Sequence, residues 1–281
     1  MVASRLSVQA TSPELICVSV LGVTRVTTAE SRSAPQRALS DQGAQVAALS
    51  ARLGRRVELL APPVGQDPDG TLALAELDRA GVRHRIEAVA GTVTPSQDLL
   101  ITSPAEWRLL DERRPRADAL EPVEVARLLG TQQIFLDVHG RAAPFTVPVL
   151  HTLADRTDHE PYPAVAVSYG GESVLPPVVE AIRRIRPVLL HTSLPRFRPD
   201  RARALAALLA DKTLANVVIV THGLNGMTML LSDGSLLEPT APTSEWAPGE
   251  LAALLTTKVL ARLSGRERGQ ASMLGSNVSS R

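Results

Sequence analysis

Aromatic residues and cysteine are scarce in this chain, net charge is nearly absent, and no hydrophobic run is long; each shortage removes a class of function. Phe, Trp and Tyr together make up 2% of 281 residues, which leaves too few rings for stacking single-stranded bases or for a carbohydrate platform. Thirty Lys and Arg against 29 Asp and Glu give a formal charge of +1, so no global field recruits nucleic acid or a membrane surface. The single cysteine, Cys17, excludes an intramolecular disulfide and a Cys-based zinc cluster, and its apolar neighbourhood reads as a small buried hydrophobe. No apolar segment approaches the roughly 20 residues of a membrane span, and the opening MVASRLSVQATSPE lacks the apolar core of a signal peptide. The expectation is a cytoplasmic protein that recognises a small molecule locally, with no nucleic-acid and no membrane partner.

What the chain does contain is an ordinary globular composition, 44% hydrophobic and 21% charged, at a length that suits one large α/β domain with a small appended sheet. Leu15 to Val20 (LICVSV) has the profile of a buried first strand. Thr24 to Ser40 then loses apolar periodicity and reads as a flap or lid strand pair. From there helical and strand patterns alternate, the signature of a parallel sheet covered by helices. Helices are predicted over Gly43–Leu53, Gly70–Ala80, Pro122–Leu129, Val147–Ala154, Leu175–Ile185, Asp200–Leu209 and Pro248–Leu263. Strands are predicted over Val57–Leu60, Arg83–Ala88, Asp98–Thr102, Gln133–Val138, Ala164–Ser168, Val188–His191, Val217–Thr221 and Met227–Leu231. The charged, small-residue tail 265–281 is expected to be disordered.

Several segments, in order, resemble the ribokinase-like (PfkB) family of sugar and nucleoside kinases. Gln42 to Gly54 (QGAQVAALSARLG) is similar to the Gly-rich substrate motif and its helix, and Val64 to Gly70 (VGQDPDG) with Leu77 to Val82 (LDRAGV) to the vGdDxxG and LxxxGV stretches. Val218 to Gly226 (VIVTHGLNG) resembles the strand and TxGxxG turn beside the nucleotide, and Ala247 to Glu250 (APGE) stands where such kinases carry GAGD. The resemblance spans roughly Leu15 to Leu263. It implies a three-layer Rossmann-like α/β fold with a small or reduced β lid: one domain over 1–264, with lid elements within 22–42 and 83–116. It also implies ATP and Mg²⁺ as cofactors and transfer of the γ-phosphoryl to a hydroxyl of a sugar, nucleoside or related small molecule. Dimerisation through the lid is common in such kinases and admits a homodimer here.

Carried over residue by residue, the resemblance makes Glu250 the base that takes the hydroxyl proton and Gly249 part of the anion hole at a helix N-terminus. Ala247, Thr221, Gly223 and Gly226 fall on the nucleotide side. Asp41, Gly43 and Gln45 fall on the acceptor side, Asp41 at one of the paired glycines and Gln45 at an asparagine. The departures are specific. Pro248 has no N–H to offer an anion hole, and losing one such donor typically costs on the order of 100-fold in rate. Glu250 is one methylene longer than the aspartate it replaces. Val26 to Thr28, near which an early Asp would bind acceptor hydroxyls, contains no carboxylate. The NxxE segment that helps organise Mg²⁺ falls on His191–Leu194 (HTSL). These losses support a second reading, a catalytically impaired relative that binds a nucleotide, a small metabolite or a protein partner.

Other patterns have plainer explanations. Asp67 and Asp69 in GQDPDG suggest a metal pair, but Asp-Pro-Asp-Gly is first of all turn chemistry. Ser168 and His139 each follow a strand and suggest a hydrolase, yet VSYGG lacks the first glycine of a nucleophile elbow. The arginines of 183–201 and the run Asp111–Arg116 (DERRPR) read as solvated surface.

Overall fold

Strands buried on both faces need helices on both faces, and the order of elements supplies them. The computed structural model describes residues 12–29, 34–103, 106–114, 122–158, 162–170, 176–223, 226–238 and 250–263. The first half contains β1 (Leu15–Val18), β2 (Gly22–Thr28), β3 (Gln36–Ser40), α1 (Gln42–Arg52), β4 (Val57–Leu60), β5 (Val64–Gly65), α2 (Pro68–Ala80), β6 (Arg83–His84), β7 (Ala88–Val89), β8 (Ser96–Ser103) and β9 (Glu106–Arg113). The second half contains α3 (Pro122–Leu129), β10 (Gln133–Val138), α4 (Ala143–Ala154), β11 (Ala164–Tyr169), α5 (Pro176–Ile185), β12 (Leu189–Leu194), α6 (Pro199–Thr213), β13 (Val217–His222), β14 (Gly226–Leu231), β15 (Leu236–Leu237) and α7 (Glu250–Leu263).

The central sheet has nine strands in the order β15-β14-β13-β12-β11-β10-β1-β4-β6. It is parallel from β13 to β6, and β14 and β15 return antiparallel. Alternation splits its side chains between two cores. Ile16, Val18, Leu136 and Val167 join residues of α3, α4, α5 and α6 on one face. Leu15, Cys17, Leu59 and Phe135 join residues of α1, α2 and α7 on the other. The result is a three-layer α/β sandwich with Cys17 in its interior, where burial pushes the thiol far up from its usual range.

A second, four-stranded sheet has the order β3-β2-β8-β9. Arg25 on β2 ties it down, bonding Asp98 of β8 at 2.9 Å and pairing with Asp69 of α2. At its far end β9 meets the loop after β12: Trp107 N–H donates to Pro195 O at 3.3 Å and Arg196 Nε to Glu106 Oε1 at 3.0 Å. The small sheet thereby reaches across to the carboxyl ends of the central strands.

The strand pair expected within Thr24 to Ser40 is present as the antiparallel β2 and β3, while other elements depart from the sequence patterns. Asp98–Thr102 lies within β8, in the small sheet. Arg83–Ala88 divides between β6, which pairs with β4, and β7, which pairs with β5, because the chain changes sheets there. Asp111–Arg113 ends the strand β9, whose mostly exposed residues carry no alternation. Asp67 is the N-cap of α2, its side chain accepting from Gly70 N–H at 2.7 Å and from Thr94 Oγ1 at 2.7 Å. That is capping chemistry. Among the described residues no group of three His, Cys, Asp or Glu is placed to hold a metal. The tail 265–281 lies outside the described residues.

Candidate active site

Open parallel sheets place ligands at the carboxyl ends of their strands, and there the apolar runs of this chain are broken at one level by polar residues. Asp137 of β10 pairs in register with Ser168 of β11, and Ser168 with His191 of β12. Ser19, just past β1, donates its hydroxyl to Asp137 Oδ2 at 2.8 Å. The four side chains form a buried row across the sheet.

The first turn of α1 packs on this row. Gly43 N–H donates to Asp137 Oδ2 at 3.1 Å, so one of the free amides of the helix start is spent on the carboxylate. Asp137 is 1% exposed. Burial pushes its carboxyl up to about 6 and the charge of Asp41 adds to the shift, while the donors Ser19 and Gly43 oppose it. Its second oxygen, Oδ1, has no protein partner among the described residues.

Arg141, in the turn after β10, is equally buried at 2% exposure. Its Nη2 donates to Ser40 Oγ and to Asp41 Oδ2, each at 2.7 Å, and its Nε lies 3.9 Å from Glu112 of β9. One guanidinium thus joins the start of α1, the end of β10 and the small sheet. Asp41 itself has φ 65°, a left-handed backbone that favours glycine, at a position where the resemblance places one. Gln45, one turn on, donates its amide to Leu39 O at 2.9 Å.

Helix α7 runs to the same place. Near its C-terminus Leu260 O accepts from Gln133, the first residue of β10, at 2.9 Å, so the helix runs antiparallel to the strands and begins at their carboxyl edge. Ser50 of α1 and Thr257 of α7 touch at 3.3 Å, eight and seven residues after their helix starts. The two N-termini therefore lie side by side, Glu250 being the first residue of α7. Ala247, Pro248, Gly249 and the Glu250 side chain lie outside the described residues.

On the nucleotide side of the resemblance, Thr221 and Gly223 close β13. Thr221 Oγ1 lies 3.2 Å from His191 Nε2, and His191 Nδ1 lies 3.1 Å from Ser168 Oγ. Burial drives the His191 imidazole down to about 3, with the charge of His139 adding to the effect, so it is a neutral bridge between two hydroxyls. Ser168 bonds His191 and His139 packs over Gly170, so no Ser168–His139 nucleophile pair is present. Gly223 has φ 62° and donates its N–H to Leu194 O at 3.0 Å. At Gly226 a Cβ would run into the His222 ring. That ring is buried and packs on Phe197 at 4.9 Å between centroids.

The structure thus gathers Asp41 and Gly43 with the start of α7, and sets Thr221 and Gly223 further along the same edge. It adds Ser19, Asp137 and Arg141, which motif reasoning missed. Their signal is a polar residue at the same depth in successive apolar strands, readable only once the register is known. In the segment where the resemblance places Mg²⁺ handling, His191–Leu194, no residue is a carboxylate, and His191, Thr192 and Leu194 are all buried. For ATP the strand and turn of Thr221 and Gly223 remain, with the Thr221 hydroxyl only partly buried.

No protein-family model and no curated protein sequence matches the chain. Solved structures do. The adenosine kinase of Sinorhizobium meliloti aligns with a TM-score of 0.67 at 14% identity, over 91% of this chain and 89% of its own. The Halothermothrix orenii fructokinase gives 0.62 at 15%, over 89% and 92%. The Arabidopsis thaliana ribokinase, solved with ribose and ATP, gives 0.61 at 14%, over 89% and 86%. At these identities the likeness is one of architecture: the chain has the ribokinase-like fold of these sugar and nucleoside kinases.

Proposed function

We propose that the chain is a PfkB-type phosphotransferase that moves the γ-phosphoryl group of ATP to a hydroxyl of a sugar, nucleoside or related small molecule. The observation that carries this reading is the start of α7 at Glu250 beside the start of α1 at the carboxyl edge of the sheet. Two helix N-termini there favour negative charge, and the resemblance gives the first residue of α7 the role of base. In the reaction the acceptor oxygen forms a bond to phosphorus, the bond to the ADP oxygen breaks, and Glu250 takes the acceptor proton. ATP supplies the phosphoryl group, with Thr221 and Gly223 at its side of the edge. Asp41, Gly43 and Gln45 stand on the acceptor side, under the small sheet.

A second reading, a nucleotide- or metabolite-binding relative with impaired catalysis, is favoured by the lack of a carboxylate in His191–Leu194 and by Pro248. One experiment separates the two. Thermal melting is recorded with ATP, ADP and AMP, with and without Mg²⁺, since a ligand of the folded state raises its melting point. Labelled ATP is then offered with a panel of sugars and nucleosides to wild type and Glu250→Gln. Transfer that Glu250→Gln abolishes, with ATP binding retained, supports the kinase. ATP binding without transfer supports the impaired relative, and equal transfer by both proteins removes Glu250 from the base role.

A further inference from the structure

Strand order sets a distance that the proposed phosphoryl transfer has to cross. Thr221 and Gly223 close β13, whereas Asp41 and Gly43 stand at the start of α1, beside the end of β10. Strands β12 and β11 lie in between. At about 4.8 Å per strand, β13 and β10 are roughly 14 Å apart. A triphosphate held at β13 therefore brings its last phosphoryl group over the ends of β12 and β11 to meet an acceptor held at β10.

His139 stands on that path. It is the first residue after β10 and is exposed. Its ring lies against Gly170, just past β11, so closely that a Cβ on that glycine would overlap it. The imidazole thus leans from β10 over the end of β11, toward the nucleotide side. Its charge acts on both sides, on Asp137 of β10 and on His191 of β12. Neither ring nitrogen has a hydrogen-bond partner among the described residues. Neighbouring cations are committed elsewhere. Arg141 is buried on Ser40 and Asp41, and Arg196, past β12, bonds Glu106. An ordinary solvated histidine would account for the exposure. It does not account for the ring's position between the two sides of the edge, on a glycine that leaves it room.

We infer that His139 meets the terminal phosphate of ATP, donating a ring N–H to a non-bridging oxygen of the γ-phosphoryl group as that group passes to the acceptor. The inference rests on the phosphotransferase reading and adds to it a residue that stabilises charge. In such a transfer the negative charge is spread over three equatorial oxygens, and a hydrogen bond from a charged donor is roughly twice as strong as a neutral one. His139 keeps its proton throughout. The acceptor proton goes to Glu250, and ADP leaves with the electron pair of the broken bond. AMP, whose single phosphate stays on the β13 side, does not reach the imidazole.

The test follows affinity along the series AMP, ADP and ATP, by calorimetric titration of the full chain with and without Mg²⁺. Three proteins are compared: wild type, His139→Gln and His151→Gln, the last a control at an exposed histidine in the final turn of α4. In His139→Gln, binding of ATP is expected to weaken about tenfold or more, with AMP changed less than about twofold. His151→Gln should leave both within about twofold. An unchanged urea midpoint verifies that the variants fold. Equal weakening of AMP and ATP in His139→Gln would mark a merely structural role and overturns the contact. Unchanged ATP binding overturns it too, and leaves the phosphotransferase reading standing. Failure of wild type to bind ATP under either condition overturns both. A second readout uses the wild-type protein alone: in nitrogen-detected NMR the His139 ring signals should move on addition of ATP and stay in place with AMP, and a ring insensitive to ATP refutes the contact.

Discussion

Arg141 and Asp41 form an ion pair at 2.7 Å in which the guanidinium is almost completely buried and the carboxylate sits on a left-handed backbone. Two opposing terms meet at Asp41. Its φ of 65° costs a non-glycine residue about 1–3 kcal/mol, while removing one partner of a buried pair typically costs about 3–5 kcal/mol. The pair wins in the native chain. Asp41→Gly is therefore expected to destabilise wild type by about 1–3 kcal/mol, since relief of strain offsets part of the loss. In an Arg141→Met background there is no pair to lose, and the same Asp41→Gly change is expected to stabilise. Urea unfolding of the four proteins of this cycle measures the sign reversal; destabilisation by Asp41→Gly in both backgrounds would mean that Arg141 is not what holds Asp41 in place.

Asp137 makes stability fall as pH rises. Its carboxyl is pushed up to about 6 by burial, with the Asp41 charge adding, from an ordinary 3.8. The folded state therefore holds a proton that the unfolded chain has released. The resulting stabilisation is complete below about pH 4 and is lost as pH climbs through 6, with a size on the order of 2–3 kcal/mol. Asp137→Asn keeps an acceptor oxygen for Ser19 and Gly43 and has nothing to titrate. The difference in unfolding free energy between wild type and Asp137→Asn, followed from pH 4 to pH 7.5, should move in favour of the variant. A flat difference would contradict the raised carboxyl.

His191 acts in the opposite direction over much of the same range. Burial first, then the His139 charge, depresses its imidazole from 6.5 to about 3. The unfolded chain thus takes up a proton that the folded chain refuses. The stabilisation is present above about pH 6.5 and is lost as pH falls toward 3. In wild type the two slopes partly cancel; in His191→Gln the Asp137 slope should stand out. Nitrogen-detected NMR of the imidazole gives a second readout. His191 should keep the neutral pattern at pH 5, and a protonated ring at that pH would refute the bridge between Ser168 and Thr221.

The legible part of this fold was its central sheet, for a physical reason. Strands such as LICV, QIFLDV and VVIVTH are buried on both faces and leave apolar runs that nothing else explains. The strand EWRLLDER could not be read this way, because its residues are mostly exposed and no face imposes a period of two. In the site, Asp41, Gly43 and Gln45 were reached through ordered motifs. Asp137 was hidden inside a strand, and Arg141 in a turn that looks like surface. Their partners lie 118 and 100 residues away at Ser19 and Asp41, and no local pattern encodes contacts of that range. Register does, by setting Asp137 beside Ser168 and Ser168 beside His191.

Gly43 offers the most direct test of how closely α1 approaches the polar row. A Cβ at this position would collide with the Ser19 side chain and lie 3.5 Å from Asp137 Cβ. Gly43→Ala gains helix propensity of about 1 kcal/mol at most, but overpacking typically costs about 1–3 kcal/mol. A net loss of about 1–2 kcal/mol is expected. Gly130→Ala, whose new methyl would meet only Arg127 O at 3.6 Å, serves as the neutral control. Ser19→Gly should rescue Gly43→Ala, because it removes the side chain in the way. It also removes the hydroxyl that holds the Asp137 carboxyl down, so the pH at which the Asp137 contribution is lost should move upward. Rescue without that upward movement would mean that Ser19 crowds Gly43 but does not bond Asp137.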